Sequence, residues 1–137
     1  MSPATVRCLA VAAALAAATS ATADPHVDYM IQCQGCHLAD GAGKPDAVPS
    51  LVGNLGRFLA VPGGREFLVR VPGSSTSPLD DDALADVLNW MIRTFDPGAA
   101  ELFEPYTAEE VARVRKPPLA DVGPLRRRLL EAGGEND

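Results

Sequence analysis

Cys33-Gln34-Gly35-Cys36-His37 constrains what this chain can fold into more than anything else in its 137 residues. Residues three or four apart on a helical turn share one face, so both thiols and the imidazole can address a single flat object. The spacing is that of a c-type haem attachment sequence. Each thiol can add to one vinyl group of a porphyrin as a thioether, and the neutral imidazole of His37 can bind its iron. Three plainer readings compete. A redox dithiol expects a strand–helix–strand setting, and no convincing strand lies nearby. Structural zinc needs four ligands, yet beyond this cluster residues 24–137 offer no cysteine and only His26. A simple disulfide would leave His37 without a purpose.

Residues 1–23 carry one positive charge, Arg7, then an apolar run over residues 8–18, and end in Ala21-Thr22-Ala23. This is the layout of a secretory signal with an Ala-x-Ala cleavage site. The run is shorter than the ~20 apolar residues of a membrane span, although an uncleaved anchor is the alternative. The expectation is cleavage after Ala23 and a periplasmic protein beginning at Asp24. Of the three cysteines, Cys8 leaves with the leader. An oxidising compartment invites disulfides, but none can form once haem has taken both remaining thiols.

Residues 24–137 suffice for one domain. Every acidic residue lies in that part, so loss of Arg7 makes the formal net charge of −6 one unit more negative. Such a balance disfavours nucleic acid or an anionic membrane as partner and suits docking onto a basic patch. Plain solubility is the simpler reason for it.

The patterning is all-α: a small helical domain over residues 24–98 around one covalent haem, then a helical extension over residues 99–137. Asp24-Pro25 reads as an N-cap followed by proline in the first turn, for a helix to about Cys36. Residues 38–56 contain Gly41, Gly43, Pro45, Pro49, Gly53 and Gly56 and read as loop. Residues 64–71 suggest a short helix stopped by Pro72-Gly73, although Phe67, Val69 and Val71 also alternate as in a strand. The clearest helix opens at Pro78-Leu79-Asp80-Asp81-Asp82, with acids at the positive end of its dipole. Leu84, Val87, Leu88, Met91, Ile92 and Phe95 form its apolar face, and Asp96-Pro97-Gly98 ends it. Thr107-Ala108-Glu109-Glu110 is a capping-box pattern for a helix to about Lys116. Pro117-Pro118 breaks it, residues 124–132 suggest another, and residues 133–137 read as a frayed end. Arg126-Arg127-Arg128 reads as a solvated face or a docking patch.

From His26 to Phe95 the sequence resembles the class I c-type cytochromes, small all-helical electron carriers. The resemblance is densest from Cys33 to Gly53. There the motif is followed by Gly41, Gly43 and then Val48-Pro49-Ser50-Leu51-Val52-Gly53, similar to the family's glycine loop and Pro-x-Leu-x-Gly run. The resemblance implies that Pro49 offers its carbonyl to the ring of His37, fixing it and raising its basicity. It also implies that Tyr29 meets Trp90 across the haem edge and that Arg57 partners a haem propionate. Tyr29 and Trp90 fit equally as ordinary amphipathic residues, and Arg57 as a solvated one.

One departure stands out. The family carries the sixth iron ligand, a methionine, on a loop before the final helix, whereas residues 71–78 contain none. Met30 adjoins the motif; Met91 lies on the apolar face of the last domain helix. Met91 is therefore the candidate metal ligand beside His37, and core filler is its plainer role. His26 begins the helix that carries the motif and is poorly placed to be a second ligand. An open or water-ligated iron is the remaining option.

The resemblance implies an electron carrier and not an enzyme in its own right. It would be a periplasmic monohaem redox partner or subunit of a dehydrogenase, exchanging electrons with another cytochrome or an oxidase, without stable membrane insertion. The alternative is a haem protein that binds or senses a small ligand at an open sixth site, with Ser74, Ser75, Thr76 and Ser77 as distal hydroxyls. Peroxidase-type catalysis expects a distal acid–base histidine, and only His26 is available.

Overall fold

Asp24 accepts a hydrogen bond from the backbone N–H of His26 at 2.9 Å, and with Pro25 in the first turn this starts α1, Pro25–Gln32. The computed structural model describes residues 23–134. Residues 1–22 of the expected leader and residues 135–137 lie outside them. The helix does not continue to Cys36 in one piece. It breaks at Cys33 (φ −121°) and resumes as α2, Gln34–His37. The Cys33 N–H still donates to the Tyr29 carbonyl, at 2.9 Å, while its own carbonyl accepts from Cys36 and His37. The break therefore turns the motif without leaving its backbone unpaired.

A short helix, α3 (Leu55–Leu59), stands at the end of the stretch that its glycines mark as loop. Gly56 is there for close approach: its N–H donates to Asp96 Oδ2 at 2.7 Å, and a Cβ would lie 2.7 Å from that of Ala99. Leu55 and Phe58 are buried. Next come α4 (Gly64–Arg70) and a single turn, α5 (Pro72–Ser75). Pro72 starts that turn instead of merely stopping α4, since proline is well tolerated in a first turn.

The central element is α6, Asp81–Phe95, capped by Asp80, which accepts from the Ala83 N–H at 2.8 Å. A turn, α7 (Pro97–Ala100), follows. Thr107 caps α8 (Ala108–Val114) by accepting from the Glu110 N–H at 3.2 Å. The last helix, α9 (Val122–Gly134), is longer than its proline suggests because Pro124 falls within the first turn. Among the described residues every element is helical, apart from an isolated bridge pairing Lys44 with Val48. No helix among them is long and apolar enough to cross a membrane.

One core joins the domain and its extension. α6 packs against α1 on one side and α8 on another. Tyr29, Val69, Val87, Ile92 and Val111 are the heart of it, with Tyr106 and Leu129 from the extension in the same cluster. Asn89 makes the polar join. Its amide donates to the Tyr106 carbonyl at 3.0 Å and accepts from the Tyr106 N–H at 2.7 Å, both buried. Arg65 adds a two-pronged pair with Glu110, at 2.8 and 2.7 Å, and lies 4.2 Å over the Tyr106 ring. Pairing with Glu110 raises the Arg65 pKa further.

Candidate functional site

The break at Cys33 sets Cys33, Cys36 and His37 on the wall of a cavity of about 480 Å³. Cys33 and His37 are half-buried and Cys36 is exposed. Most of the other walls are apolar: Leu51, Leu55 and Phe58, then Phe67 and Leu68, then Leu88, Met91 and Ile92. Val71, Pro72, Gly73 and Ser74 form a further wall, and Val122 and Arg126 of α9 complete it.

The motif is held by its neighbours. Tyr29, wholly buried, donates its hydroxyl to the Leu38 carbonyl at 2.5 Å. Burial, helped by the charges of Cys33 and Asp40, pushes its pKa up to about 12, so it remains a donor. The Lys44 ammonium donates to the Gly35 carbonyl inside the motif at 3.1 Å, and the Gly43 N–H donates to that of His37 at 3.0 Å. Burial also pushes the Cys33 thiol up to about 11, with Asp28 and Cys36 adding to the effect.

Burial is the main influence on His37 and lowers its pKa, while the Pro49 carbonyl works the other way. Nδ1 is buried, and its approach to Pro49 falls short of a well-formed hydrogen bond. Burial thus favours the neutral ring, the form that ligates iron. Two free thiols, an imidazole, apolar walls for a flat macrocycle and one arginine for its carboxylates suit haem c. No group of three or more His, Cys, Asp or Glu among the described residues could hold a bare metal ion.

Other expected residues fall in distinct places. Pro49 and Met91 border the cavity, and Met91 is buried. Arg57 is exposed on α3 and is not among the lining residues. Trp90 does not line the cavity either; it meets Tyr29 at 5.1 Å between centroids and Phe95 at 5.5 Å, while His26 stacks on it at 5.0 Å. Met30 is exposed and away from the cavity walls. The one arginine of the lining, Arg126, was missed in the sequence; it also lies 6.0 Å from the Phe58 ring centroid. Its signal was faint: Val122, Leu125 and Leu129 recur on one helix face beside it, across an intervening Gly123-Pro124.

A frame that is helical among the described residues and brings Cys-x-x-Cys-His to one apolar cavity defines a small c-type cytochrome. No protein-family model matches the chain. Its sequence is 37% identical over 103 aligned positions to cytochrome c-552 of Thermus thermophilus, a match spanning 61% of this chain and 79% of that protein. A second cytochrome c-552, from a culture-collection strain of Thermus thermophilus, is also 37% identical, with 70% of its length matched. The chain belongs to the class I c-type cytochromes, haem-bearing electron carriers.

Proposed function

We propose that this chain is an exported monohaem cytochrome, cleaved after Ala23. It would pass single electrons from a periplasmic dehydrogenase to another cytochrome or an oxidase. One observation carries the reading: both motif thiols and the His37 imidazole share the wall of one apolar cavity. Haem bound there supplies a one-electron iron couple. Cys33 and Cys36 would fasten it through thioethers, His37 would ligate the iron, and Met91 on the cavity wall is the candidate second ligand. Leu55, Phe58, Leu88 and Ile92 exclude water, and exclusion of water is one of the levers that set a haem potential. Exposed Cys36 keeps one edge of the site at the surface, where a partner can exchange an electron without the chain opening. The acidic balance suits a basic face on that partner.

The test is expression of the full chain with a c-type maturation system. Periplasmic protein starting at Asp24 should be coloured, gain the mass of one haem and keep its pigment in acidified acetone. Cys33→Ser/Cys36→Ser should lose the pigment. Colourless wild-type protein would end this reading. A methionine–iron charge-transfer band that vanishes in Met91→Ala would support Met91 as ligand; an unchanged spectrum would remove it.

A second reading, small-ligand binding, has one specific observation behind it. The wall from Val71 to Ser74 presents a hydroxyl and no thioether. Immediate carbon monoxide binding to the reduced protein would favour it; sluggish or absent binding would favour the carrier.

A further inference from the structure

The connection between α4 and α6 supplies a cavity wall through Val71, Pro72, Gly73 and Ser74. One side chain from the C-terminal segment gathers this connection. Arg115 follows α8 directly and is only 8% exposed. Its guanidinium donates to the carbonyls of Leu79 and Ser77, both at 2.7 Å, and to that of Ser75 at 3.3 Å. It reaches Ser74 O at 3.5 Å, the Ser77 hydroxyl at 3.1 Å and the Asp81 carboxylate at 3.0 Å. The tie is reciprocal: the hydroxyl of Ser75, fully buried, donates to the Arg115 carbonyl at 2.6 Å. The Lys116 ammonium also bonds the Ser75 carbonyl. Beyond it, the Leu119 N–H donates to the Arg70 carbonyl at 3.0 Å, and Arg70 Nε to the Pro117 carbonyl at 2.9 Å.

A planar guanidinium carries five donors in a fixed fork, whereas an ammonium is a point charge on a flexible stem. Only the fork can gather several carbonyls of one short connection at once. Its loss would leave acceptors unpaired around a buried position, which lowers the free energy needed to open the connection. The opening would occur at the cavity wall.

We propose that Arg115 is a positioning residue for the haem cavity: through it, the C-terminal segment fixes the wall from Val71 to Ser74 and so limits the access of water and small ligands. The inference rests on the haem reading given above. Solvent access is also a lever on haem potential, so the same side chain would keep that potential steady.

The test uses the full-length haem protein. Imidazole binding to the oxidised form is followed by rapid mixing for wild type, Arg115→Lys, Arg115→Met and Asn89→Ala. The last cuts the join at Tyr106 and leaves residues 71–80 untouched. The Arg115 variants should bind imidazole roughly tenfold faster, the equivalent of losing one charge-assisted hydrogen bond. Their amide exchange should quicken across residues 71–80 and stay unchanged across residues 25–37. Wild-type rates in Arg115→Lys, or equal acceleration in Asn89→Ala, would reduce Arg115 to a stabiliser and overturn the proposal. Should the Arg115 variants not accumulate, Ser75→Ala removes the reciprocal bond; it should quicken both readouts, and wild-type values in it would also overturn the proposal. Absence of covalent haem would defeat the functional reading instead, while amide exchange across residues 71–80 would still report on the Arg115 tie.

Discussion

The Tyr29 hydroxyl donates to the Leu38 carbonyl at 2.5 Å, tying the helix before the haem motif to the residue just after it. Leu38 sits at φ +64°, a left-handed conformation uncommon for a branched side chain. The bond helps to hold that conformation, and the Tyr29 ring is packed against Trp90 and Phe95. Tyr29→Phe keeps the ring and deletes the donor, leaving a backbone acceptor short of a partner. Denaturant titration should show a loss of about 1–2 kcal/mol, with the visible spectrum of the haem protein retained.

Arg126 borders the cavity and Arg57 does not. Removing a cation near the iron stabilises the oxidised, more positive state, so the reduction potential should fall. Arg126→Ala should lower it by roughly tens of millivolts, the scale of a single screened charge. Arg57→Ala should leave it near the wild-type value. Redox titration of the two variants checks both, and the reverse ranking would favour Arg57 as the propionate partner.

The two motif thiols differ in reactivity before haem is attached. The thiolate is the reactive form, and burial pushes the Cys33 thiol up to about 11 while Cys36 is exposed. In haem-free protein, iodoacetamide at mildly alkaline pH should label Cys36 first. Labelling of Cys33 should rise as pH climbs towards 11, because more of it is then ionised. Mass spectrometry of the tryptic peptide gives the order directly, and neither thiol should react once haem is in place.

Gly43, at φ +72°, cannot accept a side chain cheaply. A Cβ there would lie 2.7 Å from the Pro49 carbonyl oxygen and closer still to that of Val48, both rigid backbone atoms. Gly43→Ala should cost at least ~2 kcal/mol and displace Pro49 from His37. Gly35→Ala is the control, since a Cβ there meets nothing within 4 Å. Thermal unfolding of the haem protein should separate the two clearly.

Much of this site was legible because its information is local. Cys33, Cys36 and His37 announce themselves by spacing, and α6 by its apolar rows and the Asp80 cap. The Thr107 cap likewise announces α8. Where partners are distant, the sequence was silent. α3 was hidden because Gly53 and Gly56 read as loop punctuation, whereas Gly56 serves the approach of Ala99. Arg126 looked like one of three solvated arginines, and only the docking of α9 beside Phe58 turns it towards the cavity. Arg115 gave no sign at all: a lone arginine before Lys116-Pro117 gains its role from carbonyls in another connection.

The cavity takes its attachment residues from the break between the first two helices and its last lining residues, Val122 and Arg126, from α9. During synthesis the thiols emerge long before that helix does. The attachment residues and the last walls of their cavity thus come from opposite ends of the chain, so the cavity is complete only once α9 is in place.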